Sequence, residues 1–363
     1  MTPSPSPHVV TLGIAGGPRI WPATTSGAAG QDSAARTGHR PAGIATAVVV
    51  GGAVYLVDAG YGVFTQMHRA GLRMDDVRGI FITHQHSDHT IDLNELLVFG
   101  LFERSAAAAG TVTIMGPGDR QVLPPVSPLA STPPQPVAAE RPTPGTEAMV
   151  ASLIAAHATD LNDRILDALR PSPVDVFTAR DIAIPAEVGF HANDNPFPAI
   201  EPFEIYRDEN VVVTATLAEH PPIAPAFAFR FDTAEGSVTI SGDTRPSENL
   251  VRLADGTDLL MHEVIDFDWV ERTYGGRGDE TSEASIDHHR KSHTSPQQAG
   301  DIAARAGAGS LLLHHRVPGN ADPAVWQQAA ETFDGPLLIP SELDVISFGT
   351  AAESTTHRQE VLA

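Results

Sequence analysis

The chain has 363 residues, 42% of them hydrophobic, so it can bury a large core as one domain or as two. It contains no cysteine, which excludes disulfides and leaves histidines and carboxylates as ligands for any metal. Its formal net charge of -22 argues against large nucleic acids as partners, although solubility is the simplest meaning of this acidity.

The chain carries no sign of a membrane or export segment. No apolar run reaches the length that crosses a bilayer. The first ten residues, MTPSPSPHVV, lack the basic region and apolar stretch of a signal peptide. We therefore expect a cytoplasmic protein with no membrane partner, although a leader already removed would leave no trace.

Short strands and a few helices are predicted in the first third of the chain. Two apolar runs, at 44–50 and 53–57, meet at Gly51-Gly52, which is typical of a β-hairpin. The apolar run at 77–83 predicts a buried strand that leads directly into His84. The other elements predicted here are strands at 8–14 and 112–115 and helices at 63–70 and 92–104.

The middle of the chain differs in composition. Residues 121–145 are rich in proline, serine and alanine, which predicts an irregular connection. Residues 147–169 then have helical periodicity, with candidate buried positions at Met149, Leu153, Ile154, Leu161 and Leu166. We therefore expect residues 120–205 to form an insertion, which would serve as a lid or as a dimerisation arm.

The second half returns to the strand-rich pattern. Strands are predicted at 211–217, 226–231, 238–241, 259–262, 310–314 and 337–339, and helices at 295–306 and 326–333. Two strand-rich halves with helices outside them predict an α/β fold, a four-layer αββα sandwich. On this prediction residues 1–350 form one domain, the insertion lies over one edge of it, and residues 351–363 are a polar tail.

The most specific signal is a cluster of histidines at the end of a predicted strand. His84, His86, Asp88 and His89 fall within six residues, directly after the apolar run. Imidazole nitrogen and carboxylate oxygen suit zinc and similar divalent ions. His84 and His86 would share one face of the extended chain, and the next turn would reach a second metal. The plainer alternative is a solvated, histidine-rich loop.

Further motifs accompany this cluster along the chain. They are Tyr55 to Gly60 (YLVDAG), Glu219-His220-Pro221, Pro225 to Arg230 (PAFAFR), Ser241 to Thr244 (SGDT), Leu259 to Glu263 (LLMHE), Ser292-His293-Thr294 and Leu311 to His315 (LLLHH). With these motifs the sequence resembles the metallo-β-lactamase superfamily over most of its length. It is most similar to the ribonuclease Z and arylsulfatase branch.

The resemblance implies a two-metal site with a defined set of ligands. His84, His86 and His220 would hold the first metal, Asp88, His89 and His315 the second, and Asp243 would bridge them beside a water or hydroxide. The family usually has Thr-His in its last motif, so His315 aligns with the ligand, and an exchange with His314 stays open. Two zinc ions are expected, with manganese or iron as alternatives, and open positions remain for catalysis.

The resemblance also implies residues that face the substrate. His293 would stabilise the oxyanion or protonate the leaving group, and Glu263 would orient it. Asp88 is counted as catalytic as well as a ligand, and Asp58 would support the metal loop. Plainer alternatives are a residue at the start of a helix for His293 and a surface carboxylate for Glu263.

Several other residues have a weaker claim to the site. His262 is interpreted as structural, and His288-His289 as part of a solvated loop, with the pocket entrance as the alternative position. The residues Arg272, Tyr274 and Arg277 would contact an anionic group or lie in a solvated loop.

The leading hypothesis is a binuclear zinc-dependent hydrolase that uses a metal-bridging hydroxide on a small-molecule ester. A phosphodiester or related anionic ester comes first, and a carboxylic ester, lactone, amide or aryl sulfate is the alternative. The insertion has few lysines or arginines, which counts against a ribonuclease Z-type RNA endonuclease. A non-catalytic scaffold is a further alternative, and relatives in this branch suggest a homodimer.

Overall fold

The predicted strands assemble into two mixed β-sheets in a computed structural model of the chain, which describes residues 6–22, 40–105, 108, 110–349 and 357–358. In chain order the strands are β1 (His8–Gly13), β2 (Ala45–Val50), β3 (Ala53–Val57), β4 (Val77–Phe81), β5 (Val112–Gly116), β6 (Phe177–Asp181), β7 (Phe203–Arg207), β8 (Val212–Leu217), β9 (Phe227–Asp232), β10 (Ser237–Ile240), β11 (Leu259–Ile265), β12 (Leu311–Val317), β13 (Leu337–Leu338), β14 (Asp344–Ser347) and β15 (His357–Arg358).

Helices connect these strands and cover the outer faces of both sheets. They are α1 (Val63–Arg69), α2 (Ser87–Thr90), α3 (Leu93–Glu103), α4 (Thr146–Ala156), α5 (Ala158–Leu166), α6 (Pro173–Val176), α7 (Glu248–Leu253), α8 (Phe267–Tyr274), α9 (Glu280–Ser292), α10 (Pro296–Arg305) and α11 (Pro323–Trp326). Short 3-10 turns lie at Met74–Asp76, Ala186–Val188 and Gln327–Glu331.

The two sheets have similar internal plans. The first has the order β15-β14-β1-β2-β3-β4-β5-β6, and the second β13-β12-β11-β10-β9-β8-β7. In each sheet one half is antiparallel and the other half is parallel, and the parallel strands are β3 to β6 and β10 to β13. Ligands in such sheets gather where parallel strands end, because the loops after these strands meet at one edge.

Apolar side chains form three layers of core, as a four-layer sandwich requires. Val9 and Phe81 of the first sheet pack with Phe229 of the second between the two sheets. Helices α1 and α3 cover the outer face of the first sheet, and α7 and α10 cover that of the second. Because alternate residues of a strand face opposite sides, Val10 lies in the outer core and Val9 in the inner one. The predicted αββα architecture is confirmed.

The prediction of one long helix at 147–169 is wrong in one respect. It is two helices, α4 and α5, separated at His157, where the backbone leaves helical geometry with φ of -104° and ψ of 14°. Leu161 is buried as predicted, but Leu166, the last residue of α5, is 79% exposed. Asn94 of α3 makes a hydrogen bond of 2.9 Å with the His157 ring, which fixes the junction.

The middle segment takes part in both sheets. Residues 121–145 contain neither helix nor strand, as predicted, but β6 pairs in parallel with β5 and forms an edge of the first sheet. Strand β7, which begins at Phe203, forms an edge of the second sheet. Of the polar tail predicted at 351–363, only 357–358 are described, as strand β15, and the other residues lie outside the described part.

Candidate metal centre

The histidines and aspartates singled out in the sequence converge where strands of the two sheets end. His84 follows β4, His220 follows β8, Asp243 follows β10 and His315 lies within β12. His84, His220 and Asp243 are almost completely buried, so their polar atoms face one another rather than solvent. The site is therefore held by both sheets.

Three histidines form the first group of candidate ligands. The Nδ1 atom of His86 lies 3.0 Å from Nε2 of His84 and 3.2 Å from Nε2 of His220. The Nδ1–H group of His220 donates to the Ser292 carbonyl at 2.8 Å, which leaves Nε2 free to bind a cation. Each residue offers one nitrogen within 4.8 Å of the others, so the three can hold one metal ion.

The second group combines two histidines with two aspartates. Oδ2 of Asp88 lies 3.6 Å from Nε2 of His89 and 3.3 Å from Nε2 of His315. The backbone N–H of Gly17 donates to the same Asp88 oxygen at 2.8 Å. Asp243 completes the group, whose ligand atoms also lie within 4.8 Å of one another.

Asp243 lies between the two groups, with one oxygen facing each. Its Oδ2 is 3.9 Å from Nε2 of His84 and 3.8 Å from Nε2 of His220. Its Oδ1 is 3.4 Å from Nε2 of His89 and 3.3 Å from Nε2 of His315. This is the placement that a carboxylate needs to bridge two cations.

Asp58 fixes the orientation of the loop that carries His84 to His89. The Nδ1–H group of His89 donates to Oδ2 of Asp58 at 2.8 Å, so Nε2 of His89 faces Asp243. Thr83 donates its backbone N–H to Asp58 at 2.8 Å and its hydroxyl at 2.9 Å. Such carboxylate–histidine pairs fix the tautomer of a metal-binding ring.

The electrostatics of the cluster fit divalent cations. Burial holds the pKa of His84 and of His220 well below the usual range, so these rings are neutral, as ligands must be. Burial opposes ionisation of Asp243, but His315 and His89 hold its pKa well below the usual value. Nε2 of His89 and Oδ1 of Asp243 are buried without a hydrogen-bond partner. The cluster therefore suggests divalent metal binding, with polar atoms aimed at a common centre.

In the last motif, His315 rather than His314 lies beside the other candidate ligands. Glu263 pairs with His314 and Val264 pairs with Arg316, so His315 is the extra residue of a β-bulge, with φ of 41°. The bulge turns His315 toward Asp88 and Asp243, while neither ring nitrogen of His314 has a partner. A Cβ at Gly16 would lie 2.3 Å from the His315 ring, so a larger residue there would displace that ring.

His293 and Glu263 form a pair beside the ligand groups. Nδ1 of His293 forms a hydrogen bond of 3.0 Å with Oε1 of Glu263, and the Thr244 N–H donates to the same oxygen at 3.1 Å. Burial and nearby Asp243 raise the pKa of Glu263 well above its usual value, so its proton is retained. His293 also lies within 4.8 Å of His220 and Asp243 by one ligand atom, a distance that would allow metal binding.

A cavity of about 280 Å³ opens directly on the ligand groups. Its wall includes Arg19, Trp21, Trp269, Tyr274, His288, His289 and His293. The guanidinium of Arg19 lies 5.1 Å from the Trp21 ring centre and 5.7 Å from that of Trp269. Its terminal nitrogen donates to the Tyr274 hydroxyl at 3.2 Å. One cationic side chain is thus held in an aromatic setting near the candidate ligands.

The interpretation of His288-His289 as a solvated loop is wrong. Both lie on α9 and face the cavity, with the His288 ring centre 6.3 Å from that of His86 and 6.0 Å from that of His220. Burial lowers the pKa of His288 to about 3, so its ring is neutral. Arg19, Trp21 and Trp269 were not identified from the sequence, and the Gly16-Gly17-Pro18 turn before Arg19 was the available signal.

His262 lies apart from the ligand groups, as the structural interpretation predicts. Its Nδ1–H group donates to the Glu263 carbonyl at 2.7 Å and the ring is fully buried in β11. Of the residues considered as anion contacts, Tyr274 lines the cavity, while Arg272 pairs with Asp266 at 2.9 Å. Arg277 lies 6.0 Å from the centre of the Tyr274 ring.

Known proteins resemble the chain in sequence and in fold. The sequence model of the family described as anti-Pycsar protein Apyc1 matches residues 45–113. Ribonuclease Z of Mycobacterium sp. strain KMS is 30% identical over 298 residues, which cover 81% of this chain and 85% of that protein.

Two solved structures have a similar fold at low sequence identity. The short form of human tRNase Z has a TM-score of 0.57 at 18% identity and covers 94% of this chain and 100% of its own. The metallo-β-lactamase fold protein YhfI from Bacillus subtilis has a TM-score of 0.55 at 17% identity, over 94% of this chain and 98% of its own. Among the described residues, no helix is both long enough and apolar enough to cross a membrane.

Proposed function

Because this chain belongs to the metallo-β-lactamase superfamily of metal-dependent hydrolases, beside ribonuclease Z, we propose that it hydrolyses small esters with two zinc ions. Phosphodiesters and related anionic esters are the first candidates. His84, His86 and His220 would hold one ion, Asp88, His89 and His315 the other, and Asp243 would bridge them.

The position of Asp243 is the observation that carries this proposal. Its two oxygens face different groups of histidines at 3.3 to 3.9 Å, which suits two ions better than one. Two divalent ions, two aspartates and one hydroxide would leave a single positive charge at the centre. Such a centre favours an anionic substrate or a transition state that gains negative charge.

The chemistry divides between the ions and the protein. When bound, the two ions would lower the pKa of a shared water toward neutrality and so supply the nucleophile. Because Glu263 keeps its proton, its Oε1–H group would donate to Nδ1 of His293, and the ring would carry its own proton on Nε2, from which it would be donated to the leaving oxygen. Glu263 positions that ring, and the aromatic side chains of the cavity wall would limit the access of water to the reacting group.

The cavity supports a small substrate. Its volume of about 280 Å³ is at the small end of ligand-binding pockets. Arg19 supplies a positive charge in its wall, although the whole chain has a net charge of -22. A small anionic ester would therefore be attracted locally while a large polyanion is repelled at longer range.

A panel of chromogenic esters tests the proposal on the zinc-loaded protein. We expect bis(p-nitrophenyl) phosphate to be cleaved faster than p-nitrophenyl sulfate, p-nitrophenyl acetate or a lactone. Asp243→Ala should abolish turnover and lower the zinc content, whereas Asp255→Ala, at an exposed aspartate, should change neither. Cleavage of the carboxylic ester but not of the phosphodiester above the zinc-free rate would replace the leading proposal by its alternative.

A ribonuclease Z-type activity is the second candidate, because curated relatives carry that name. Against it stand the net charge and the proline-rich segment 121–145, which contains one arginine and no lysine. A gel shift with a tRNA precursor at physiological salt decides between them. Tight binding and cleavage of the precursor would favour the nuclease over the small-ester hydrolase.

A further inference from the structure

A second cavity, of about 420 Å³, adjoins the metal centre on the other side of His86. His86 lines both cavities, and it is the residue through which they meet. The second one is lined mainly by apolar groups, among them Pro124, Pro142, Pro144, Met149, Ile223 and Ala224. We call it the proline-lined cavity.

Two segments far apart in sequence form the walls of the proline-lined cavity. Pro124, Pro142 and Met149 come from the segment predicted to be an insertion, and Ile223 and Ala224 follow the candidate ligand His220. The middle segment therefore borders the metal centre itself. A molecule bound in this cavity would touch the insertion on one side and the loop that follows His220 on the other.

The one arginine in the lining is engaged by the protein. Arg120 donates from Nη1 to the Pro222 carbonyl at 2.8 Å and from Nη2 to Oδ1 of Asn193 at 2.7 Å. Both terminal nitrogens are thus directed at the chain, and the arginine holds the two walls together. Its Nε is buried in the wall, and the mainly apolar lining suits an uncharged group.

The walls are anchored by hydrogen bonds, so the cavity is preformed. The Pro117 carbonyl accepts from the Thr146 N–H at 2.8 Å and from its hydroxyl at 2.9 Å. The Thr143 hydroxyl donates to Asp119 at 2.7 Å. Prolines in the lining have a fixed φ, which reduces the entropy lost when a ligand binds.

We propose that the proline-lined cavity binds the apolar, uncharged group of the ester that stays bonded to the phosphate after cleavage. We call this group the retained arm, and the group that departs the leaving arm. This inference rests on the proposed function and adds the class of substrate. Of the two cavities, only the one of about 280 Å³, which we call the catalytic cavity, is lined by His293. The leaving arm therefore belongs in the catalytic cavity, beside its proton donor. The arm on the other side of His86 is then the retained one.

The reaction keeps its atoms in balance on this assignment. The oxygen of water bonds to phosphorus, and the bond from phosphorus to the leaving oxygen breaks. The leaving oxygen takes a proton, and the bond to the retained arm stays intact. The products are an alcohol or phenol in the catalytic cavity and a phosphate monoester whose apolar arm lies in the proline-lined cavity.

A series of p-nitrophenyl phosphodiesters with methyl, butyl, hexyl and benzyl retained arms tests the proposal. The leaving group is constant, so differences in kcat/KM report the retained arm. Each buried methylene is worth up to about fourfold, and we expect a rise of at least about tenfold from methyl to hexyl. Equal kcat/KM values across the series would overturn the proposal.

Variants of helix α4 locate the effect. Met149→Trp fills the proline-lined cavity and should lower kcat/KM for the hexyl ester much more than for the methyl ester, which removes the preference for long arms. Ala151→Trp adds the same ring at an exposed position of the helix and should keep the preference. Met149→Ala, which is less demanding sterically, should weaken it severalfold. A preference that survives both Met149 changes would place the arm elsewhere.

A binding measurement separates this proposal from the proposed function. Calorimetry with methyl and hexyl phosphate on the zinc-loaded protein should show tighter binding of the hexyl compound, lost in Met149→Trp. If no phosphodiester is cleaved but the hexyl preference is seen, the proposed function fails and the cavity assignment stands. If phosphodiesters are cleaved but the two phosphates bind equally, the cavity assignment fails alone.

Discussion

At the scale of single residues, His293 separates a catalytic role from a ligand role. We expect His293→Ala to lower kcat by about 10²- to 10⁴-fold, which is typical of losing a general acid, with zinc content unchanged. Metal analysis and steady-state kinetics on the same preparation check this. Loss of zinc from His293→Ala would instead make His293 a ligand, as its distance to His220 and Asp243 would allow.

Glu263 acts on this ring only through its hydrogen bond, which makes it a positioning residue. Glu263→Gln keeps a hydrogen-bond partner for Nδ1 of His293 and should retain most of the activity, whereas Glu263→Ala should approach His293→Ala. The rescue by glutamine appears in kcat rather than in KM. Equal losses in both Glu263 variants would contradict a positioning role.

Gly16 controls His315 by the space it leaves. Its backbone needs no unusual φ, but a Cβ there would lie 2.3 Å from the imidazole of His315. We therefore expect Gly16→Ala to displace that ring and to lower the content of the second metal and the turnover together. Ile20→Ala, at an exposed position after the same turn, is the matched control and should leave both unchanged.

The convergence of the candidate ligands could be predicted because they come at or just after apolar runs that indicate strands. The choice of His315 over His314 depended on a resemblance, since the bulge that separates them leaves no mark in the sequence. Arg19 and Trp21 could not be placed from the sequence. They come to the site through a turn and through contacts with Trp269, which lies about 250 residues further along.

At the scale of elements, α9 shows why a helix can be mistaken for a loop. Its sequence is mostly charged and polar, and Ser282 and Ser292 are its buried residues, so no apolar stripe marks it. It packs through histidines that face the cavity. The edge strands β6 and β7 were missed for a related reason, because their side chains are largely half-buried or exposed.

The N-terminus of α9 offers a test at this scale. Asp279 accepts from the Ser282 N–H at 2.9 Å and from its hydroxyl at 2.8 Å, which caps the helix. We expect Asp279→Ala to lower the free energy of unfolding by about 1 kcal/mol. Urea denaturation measures it. Asp268→Ala, at an exposed carboxylate on α8, should cost less, and equal losses would argue against the cap.

At the scale of the whole molecule, buried histidines tie stability to pH. Burial lowers the pKa of His262 to about 4, from about 6.5 in an unfolded chain. Between these two pKa values the unfolded state therefore binds a proton that the folded state does not bind. This stability is present above about pH 6.5 and is lost as the pH falls toward 4, by up to about 3 kcal/mol.

Unfolding of the metal-stripped protein between pH 7 and pH 4.5 measures this loss. We expect His262→Gln to show a shallower fall in unfolding free energy than the unchanged chain does. His191→Gln, at an exposed histidine, should show the full fall. A slope in His262→Gln as steep as in the control would mean that His262 takes up its proton without opening of the core.

The candidate ligands come from both sides of the middle segment, and this has a consequence for how the chain is held together. His86 and His220 are 134 residues apart, and Asp88 and His315 are 227 residues apart. A chain without cysteine has no disulfide cross-link. Bound metal ions would instead act as reversible cross-links that close long loops. The two sheets could not separate without releasing the metal ions. The metal content of the protein would therefore measure whether the two sheets are still packed together.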